Sequence, residues 1–283
     1  MKGQTLLFTC LLAAVTGFTA CNNQPASQET ATDSTATTAA PEVKLKEEAV
    51  TYKDDTTTLI GYVVYNEASD QKRPGVLVVP EWWGLNDYTK SRARQLAELG
   101  YIALAVDMYG NGKVANTPDE AGKAAGAFYT APKLIKSRVE AALAQLKTYS
   151  QTDTAHVAAI GYCFGGAMVL NAAKLGTPFT GVVSFHGNLA GVPANKDLLK
   201  AKILVCHGEE DKFVLPQEVA QFKKSMDSIG ADYTFKAYPG ATHAFTNPGA
   251  TAIGKQFNLP IAYNAAADTA SWNDMKTFFG KIF

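Results

Sequence analysis

The segment Gly161-Tyr162-Cys163-Phe164-Gly165-Gly166 follows the apolar run 157–160 and precedes a helical stretch over 167–175. It reads as a strand, a tight turn and a helix, with a cysteine at the tip of a nucleophile elbow. The G-x-C-x-G-G spacing keeps the flanking residues small, because such a turn forces Cys163 into a strained backbone conformation in which larger neighbours would clash. The thiol then projects from the turn, and the next amide faces an incoming carbonyl. The plainer alternative is a glycine-rich turn whose cysteine is a small buried hydrophobe.

The downstream sequence weighs against that alternative. A thiol becomes a strong nucleophile when its proton is removed, and an imidazole held in one tautomer by a carboxylate does this near neutral pH. The partners are expected at later strand ends, the acid first and the histidine after it. The apolar run 203–207 ends in Gly208-Glu209-Glu210-Asp211 and makes Asp211 the candidate orienting acid. Glu209 and Glu210 compete for that role, since acidic loops are commonly just solvated. Beyond the alternating run 233–238, the loop Pro239-Gly240-Ala241-Thr242 delivers His243, the candidate general base. Of the other histidines, His156 precedes the elbow strand, while His186 and His207 end strands as hydrogen-bonding residues; His186 is also a candidate for the pocket wall. No C-x-x-C or H-x-x-x-H spacing occurs, so no metal site is expected.

Three blocks together, Gly161 to Gly166, the loop 208–214 and His243-Ala244-Phe245, resemble the dienelactone hydrolase family of α/β-hydrolases. The resemblance implies a hydrolase without a cofactor. It also implies an acidic residue after an early strand, which Val76-Leu77-Val78-Val79-Pro80-Glu81-Trp82-Trp83 supplies as Glu81, beside the thiol. A carboxylate there opposes thiol ionisation or transiently takes its proton; the alternative is a loop residue paired with an arginine. The amides of Phe164 and Trp82 are the candidate oxyanion-hole donors.

One departure bears on substrate. The resemblance implies arginines for a lactone carboxylate, as in the best-known dienelactone hydrolases, one of them shortly after the histidine, yet Ala244-Phe245-Thr246-Asn247-Pro248 contains none. Trp82, Trp83, Tyr109, Phe164 and Phe245 lie near the motif positions, so Trp83, Tyr109, His186 and Phe245 are expected on the wall of a pocket for an apolar or aromatic ester.

The chain start answers a separate question. A short basic beginning, an apolar run over 6–15 and Thr16-Gly17-Phe18-Thr19-Ala20 before Cys21 read as an export signal, too short for a stable span. The small residues before Cys21 resemble a bacterial lipobox, which makes Cys21 the lipidated first residue of an envelope lipoprotein. Cleavage near Ala20 with a free Cys21 is the rival reading. Residues 21–42, rich in Thr, Ala, Ser, Gln and Asn, are expected to form a flexible tether.

Residues 43–283 suit one domain. Strand-like runs at 61–65, 75–79, 101–106, 156–160, 181–185, 203–207 and 233–238 alternate with helical patterns. They predict an α/β fold, a mostly parallel central sheet with helices on both faces. Lys plus Arg equals Asp plus Glu at 26 each, so no field draws nucleic acid. The resulting expectation is a monomeric, membrane-anchored hydrolase that attacks an ester, lactone or thioester through Cys163. An acyltransferase with the same residues and a silent lipoprotein that binds a hydrophobic ligand are the alternatives.

Overall fold

The computed structural model describes residues 43–283. The signal, the Cys21 lipidation site and the tether lie outside the described residues. Eight strands, β1 (Leu45–Asp54), β2 (Thr57–Asn66), β3 (Arg73–Val79), β4 (Ile102–Ala105), β5 (Thr152–Tyr162), β6 (Gly181–Phe185), β7 (Lys202–Gly208) and β8 (Tyr233–Tyr238), form one sheet in the order β1-β2-β4-β3-β5-β6-β7-β8. Strands β1 and β2 pair antiparallel across the two-residue turn at Asp55 and Thr56, and β2 runs antiparallel to β4. All remaining pairings are parallel. This is the doubly covered α/β sheet that the alternation of patterns predicts.

Side-chain alternation along the central strands divides the core into two layers. Leu77, Val79, Val157, Ala159, Ile203 and Val205 face one side, where α2 (Pro118–Thr130), α3 (Pro132–Leu146), α4 (Phe164–Lys174) and α5 (Pro216–Ser228) cover them. Val76, Val78, Ala158, Ile160, Leu204 and Cys206 face the other, under α1 (Asp87–Glu98) and α7 (Ala265–Ile282). A short helix, α6 (Ala250–Phe257), completes the elements of the described residues.

Local chemistry sets the helix starts. Asn86 Oδ1 accepts from the Thr89 amide at 3.2 Å to open α1. At α2 the Thr117 hydroxyl accepts from the Glu120 amide at 3.3 Å, while Glu120 reaches back to the Asn116 amide at 2.9 Å, one residue beyond the N-cap amide that a standard capping box uses.

Two elements escape the pattern reading. The edge strand β1 packs only Tyr52 fully, so its sequence lacks a clean apolar alternation. Helix α6 offers just Ala250 and Gly254 to the interior, too few for a periodic stripe.

The order of β4, β3 and β5 positions the site. The chain passes from β3 to β4 on one side and returns to β5 on the other, which opens a crevice at the carboxyl ends of β3 and β5. The segments after β3, β5, β7 and β8 all emerge at that edge, and they carry Glu81, Cys163, Asp211 and His243 in turn.

Candidate active site

Cys163 stands between β5 and α4 with φ 52° and ψ −116°, a left-handed conformation that costs a non-glycine residue about 1–3 kcal/mol. Crowding explains its glycine neighbours. A Cβ on Gly161 would meet the Gly165 carbonyl oxygen at 2.1 Å, and one on Gly165 would meet the Val79 carbonyl oxygen at 2.2 Å. Helix α4 can therefore approach β3 and β5 only if both positions lack a side chain. Phe164 is the first residue of α4, so its amide has no acceptor within the helix. The Trp82 amide likewise donates to no acceptor among the described residues.

The loop that presents Trp82 is held from three sides. Tyr109 Oη donates to the Trp82 carbonyl at 2.7 Å, the Ala115 amide to the Trp83 carbonyl at 2.8 Å, and the Gly84 amide to the Glu81 carbonyl at 3.0 Å. Tyr109 is itself fixed by the buried Asp107 carboxylate, which accepts from the amides of Ile60, Tyr109, Gly110 and Gly112 at 2.8 to 3.0 Å.

His243 and Asp211 meet across the ends of β7 and β8. His243 Nδ1 lies 2.8 Å from Asp211 Oδ2, while Asp211 Oδ1 accepts from the Phe213 and Val214 amides at 2.8 and 3.3 Å. Both residues are buried, whereas Glu209 and Glu210 are exposed. Of the three loop carboxylates, only Asp211 pairs with the imidazole. Burial opposes a charge on His243, yet the neighbouring Cys163 sulfur and the Asp211 carboxylate, through charge and hydrogen bonding, push its pKa up to about 10. The Phe213 ring stands edge-on to the imidazole at 5.0 Å between centroids and limits its rotation.

Glu81 is buried beside this group. Burial raises its carboxyl to about 7, against the bond from Asn247 Nδ2 at 2.7 Å and the charges of His243 and Arg92. Its hydrogen-bond partner is thus an amide, and Arg92, whose charge acts on it, is committed to Asp268 at 2.5 Å and to the Thr246 carbonyl at 2.6 Å.

A cavity of about 550 Å³ joins these residues. Glu81, Trp82, Trp83, Cys163, Phe164 and His243 all line it, and no lysine or arginine does among the described residues. Three expected wall residues sit elsewhere. Tyr109 lies behind Trp82 with its ring 5.7 Å from that of Phe164. Phe245 is sealed in the α7-side core against Tyr238, because Ala244 at φ 57° turns the chain inward. His186 is 1 % exposed and lies beneath the elbow. The wall instead takes Tyr129 from α2, Phe213 from the acid loop, Ile253 from α6 and Ile261. Their apolar character alone gave no signal, since equally apolar residues fill the core.

The sequence profile of the dienelactone hydrolase family matches residues 59–283, which include every element that builds the cavity. The chain belongs to that family. A relative from Aquifex aeolicus, named "Putative carboxymethylenebutenolidase", is 32% identical over 179 residues, 62% of this chain and 77% of the relative. Among solved structures, a dienelactone hydrolase-like promiscuous phosphotriesterase from metagenomic libraries superposes with a TM-score of 0.79 at 34% identity, covering 84% of this chain and 99% of the other. As a dienelactone hydrolase family member, the chain is a hydrolase of the ester and lactone type on an α/β-hydrolase fold.

Proposed function

We propose that this hydrolase cleaves an uncharged ester or lactone through Cys163, with His243 as general base and Asp211 as its orienting acid. The observation that carries the reading is the buried Asp211–His243 pair at 2.8 Å beside a cysteine at the tip of a strained turn. His243 Nε2 takes the thiol proton, and the sulfur forms a bond to the carbonyl carbon. The carbonyl π electrons move to oxygen, which the Phe164 and Trp82 amides receive; two such preorganised donors in a dry site lower the barrier by several kcal/mol. Collapse expels the alkoxide with the proton from His243 and leaves an acyl-thioenzyme. Water, deprotonated by His243, then attacks the thioester, and the acid and the free thiol are released. Glu81, with its carboxyl near 7, is the group placed to accept or return the thiol proton between turnovers.

The cavity argues for the substrate class. A wall of Trp82, Trp83, Phe164 and Phe213, with no lysine or arginine among the described residues, suits an apolar or aromatic ester and lacks the guanidinium that would pair with an anionic lactone. Selective alkylation tests the nucleophile. Cys206 is sealed, with its thiol raised to about 12 by burial, so iodoacetamide is expected to label Cys163 at least about tenfold faster, in step with loss of turnover. Equal slow labelling of both would favour a silent ligand-binding protein.

The beginning of the chain supports export as a lipoprotein anchored at Cys21 by a tether that ends near residue 42. Cys21→Ala is expected to move the protein from the membrane fraction to the soluble one; undiminished membrane association would sink the anchor.

A further inference from the structure

We infer that His186 is a positioning residue for the nucleophile: a neutral imidazole, protonated on Nε2, that holds the backbone amide of Cys163 and ties the elbow to the loop carrying His243. The inference rests on Cys163 being the nucleophile, and it concerns how that residue is kept in place.

The Cys163 amide is shared between two acceptors, the Phe185 carbonyl at 3.0 Å and His186 Nδ1 at 3.1 Å. A ring nitrogen that accepts carries no proton, so the proton of a neutral ring sits on Nε2. That nitrogen lies 2.7 Å from Thr246 Oγ1, which lies 2.6 Å from Tyr88 Oη. Thr246 follows His243 by three residues and precedes Asn247, the partner of Glu81. One ring therefore bridges the turn that bears the sulfur and the loop that bears both the imidazole and the residue orienting Glu81.

The site is built to keep this ring fixed and uncharged. His186 adopts φ 42°, its amide donates to the Cys206 carbonyl at 2.8 Å, and its ring meets those of His243 and Phe245 edge-on at 5.3 and 5.2 Å. The groups around it are Cys163, His243, Arg92, Tyr88 and Tyr162; burial and then the positive neighbours His243 and Arg92 hold its pKa well below the usual value. A protonated ring would point an N–H at the Cys163 N–H and lose the bond. The elbow has no side-chain cap of its own, so this bond is one of few that define its strained conformation.

Two variants and one spectrum test the assignment. His186→Phe keeps the ring and removes both bonds, whereas His186→Asn restores an acceptor where Nδ1 stood. With an uncharged p-nitrophenyl ester, His186→Phe is expected to lower kcat about 10- to 100-fold at a KM within about twofold, and His186→Asn to recover most of it. Unchanged kcat, or a loss confined to KM, would overturn the inference. Nitrogen-15 NMR of the unsubstituted protein should show a histidine with bare Nδ1 and protonated Nε2 that stays so from about pH 5 to about pH 9; a His186 ring that titrates in that range, or carries its proton on Nδ1, would also overturn it. The spectrum stands even if His186→Phe fails to fold. Were Cys163 not the nucleophile, Cys163→Ala would keep its turnover while the His186 signals stayed as described, so the two readings fail separately.

Discussion

Turnover of a small activated ester is expected to fall roughly 10⁴-fold or more when Cys163 becomes alanine. The substitution removes one sulfur from a half-buried site and leaves the backbone angle as demanding as before, since alanine and cysteine carry the same Cβ. Folding should persist, with a melting temperature within a few degrees of the unsubstituted protein, so the lost rate is assignable to chemistry. Residual hydrolysis would come from the cavity and the amides of Phe164 and Trp82, which remain able to bind the carbonyl. Full turnover in the variant would end the proposal of a thioester intermediate. A second signature is kinetic: the intact protein should release leaving group in a burst equal to one equivalent of Cys163, provided deacylation is the slower step.

Asp211→Asn is expected to cost about 10³- to 10⁴-fold in kcat, through proton placement. Both carboxylate oxygens of Asp211 are acceptors, one for His243 and the other for the Phe213 and Val214 amides. An asparagine can keep its oxygen on the two amides only by turning its NH₂ toward His243 Nδ1. That ring nitrogen must then accept, which moves the imidazole proton to Nε2, the atom that has to receive hydrogen from the thiol. The variant would also lose the Asp211 interactions that raise the His243 pKa. A lower folded pKa means the imidazolium is given up at lower pH, so the alkaline limb of the rate profile for an alkyl ester, whose leaving group needs that proton, should shift downward. A profile that keeps its alkaline limb, with kcat reduced less than about tenfold, would assign the orienting role elsewhere. Exposed Glu209 and Glu210 are the residues to examine in that event.

The elbow was legible because its glycine spacing sits within six consecutive residues; the contact that demands Gly161 is internal to them, whereas the one that demands Gly165 comes from Val79 on β3. Asp211 and His243 followed from strand ends, because parallel strands deliver their next residues to one edge of the sheet. The competition among Glu209, Glu210 and Asp211 could not be decided from composition, since it turns on which of three adjacent carboxylates faces inward. The cavity wall was the least legible part. Tyr129, Phe213, Ile253 and Ile261 come from four separate segments, and nothing in an apolar residue's identity says whether it faces a void or its neighbours. His186 illustrates the same limit from the other side. A histidine after a strand within the same region could front the cavity or support it, and only the 3.1 Å contact with the Cys163 amide places it behind Cys163.

The absence of lysine and arginine among the described residues of the cavity wall bears on the end of the cycle as well as on its start. On the proposed reading a neutral ester enters and an anion departs on the acyl side, formed in the same cavity as Glu81, whose carboxyl burial raises to about 7. An ionised Glu81 repels that anion in a poorly solvated space, while His243, with its pKa pushed up to about 10, is the cationic group on the same wall that attracts it. Inhibition by the added product acid is therefore expected to weaken as pH rises through the titration of Glu81, whose carboxyl lies at about 7.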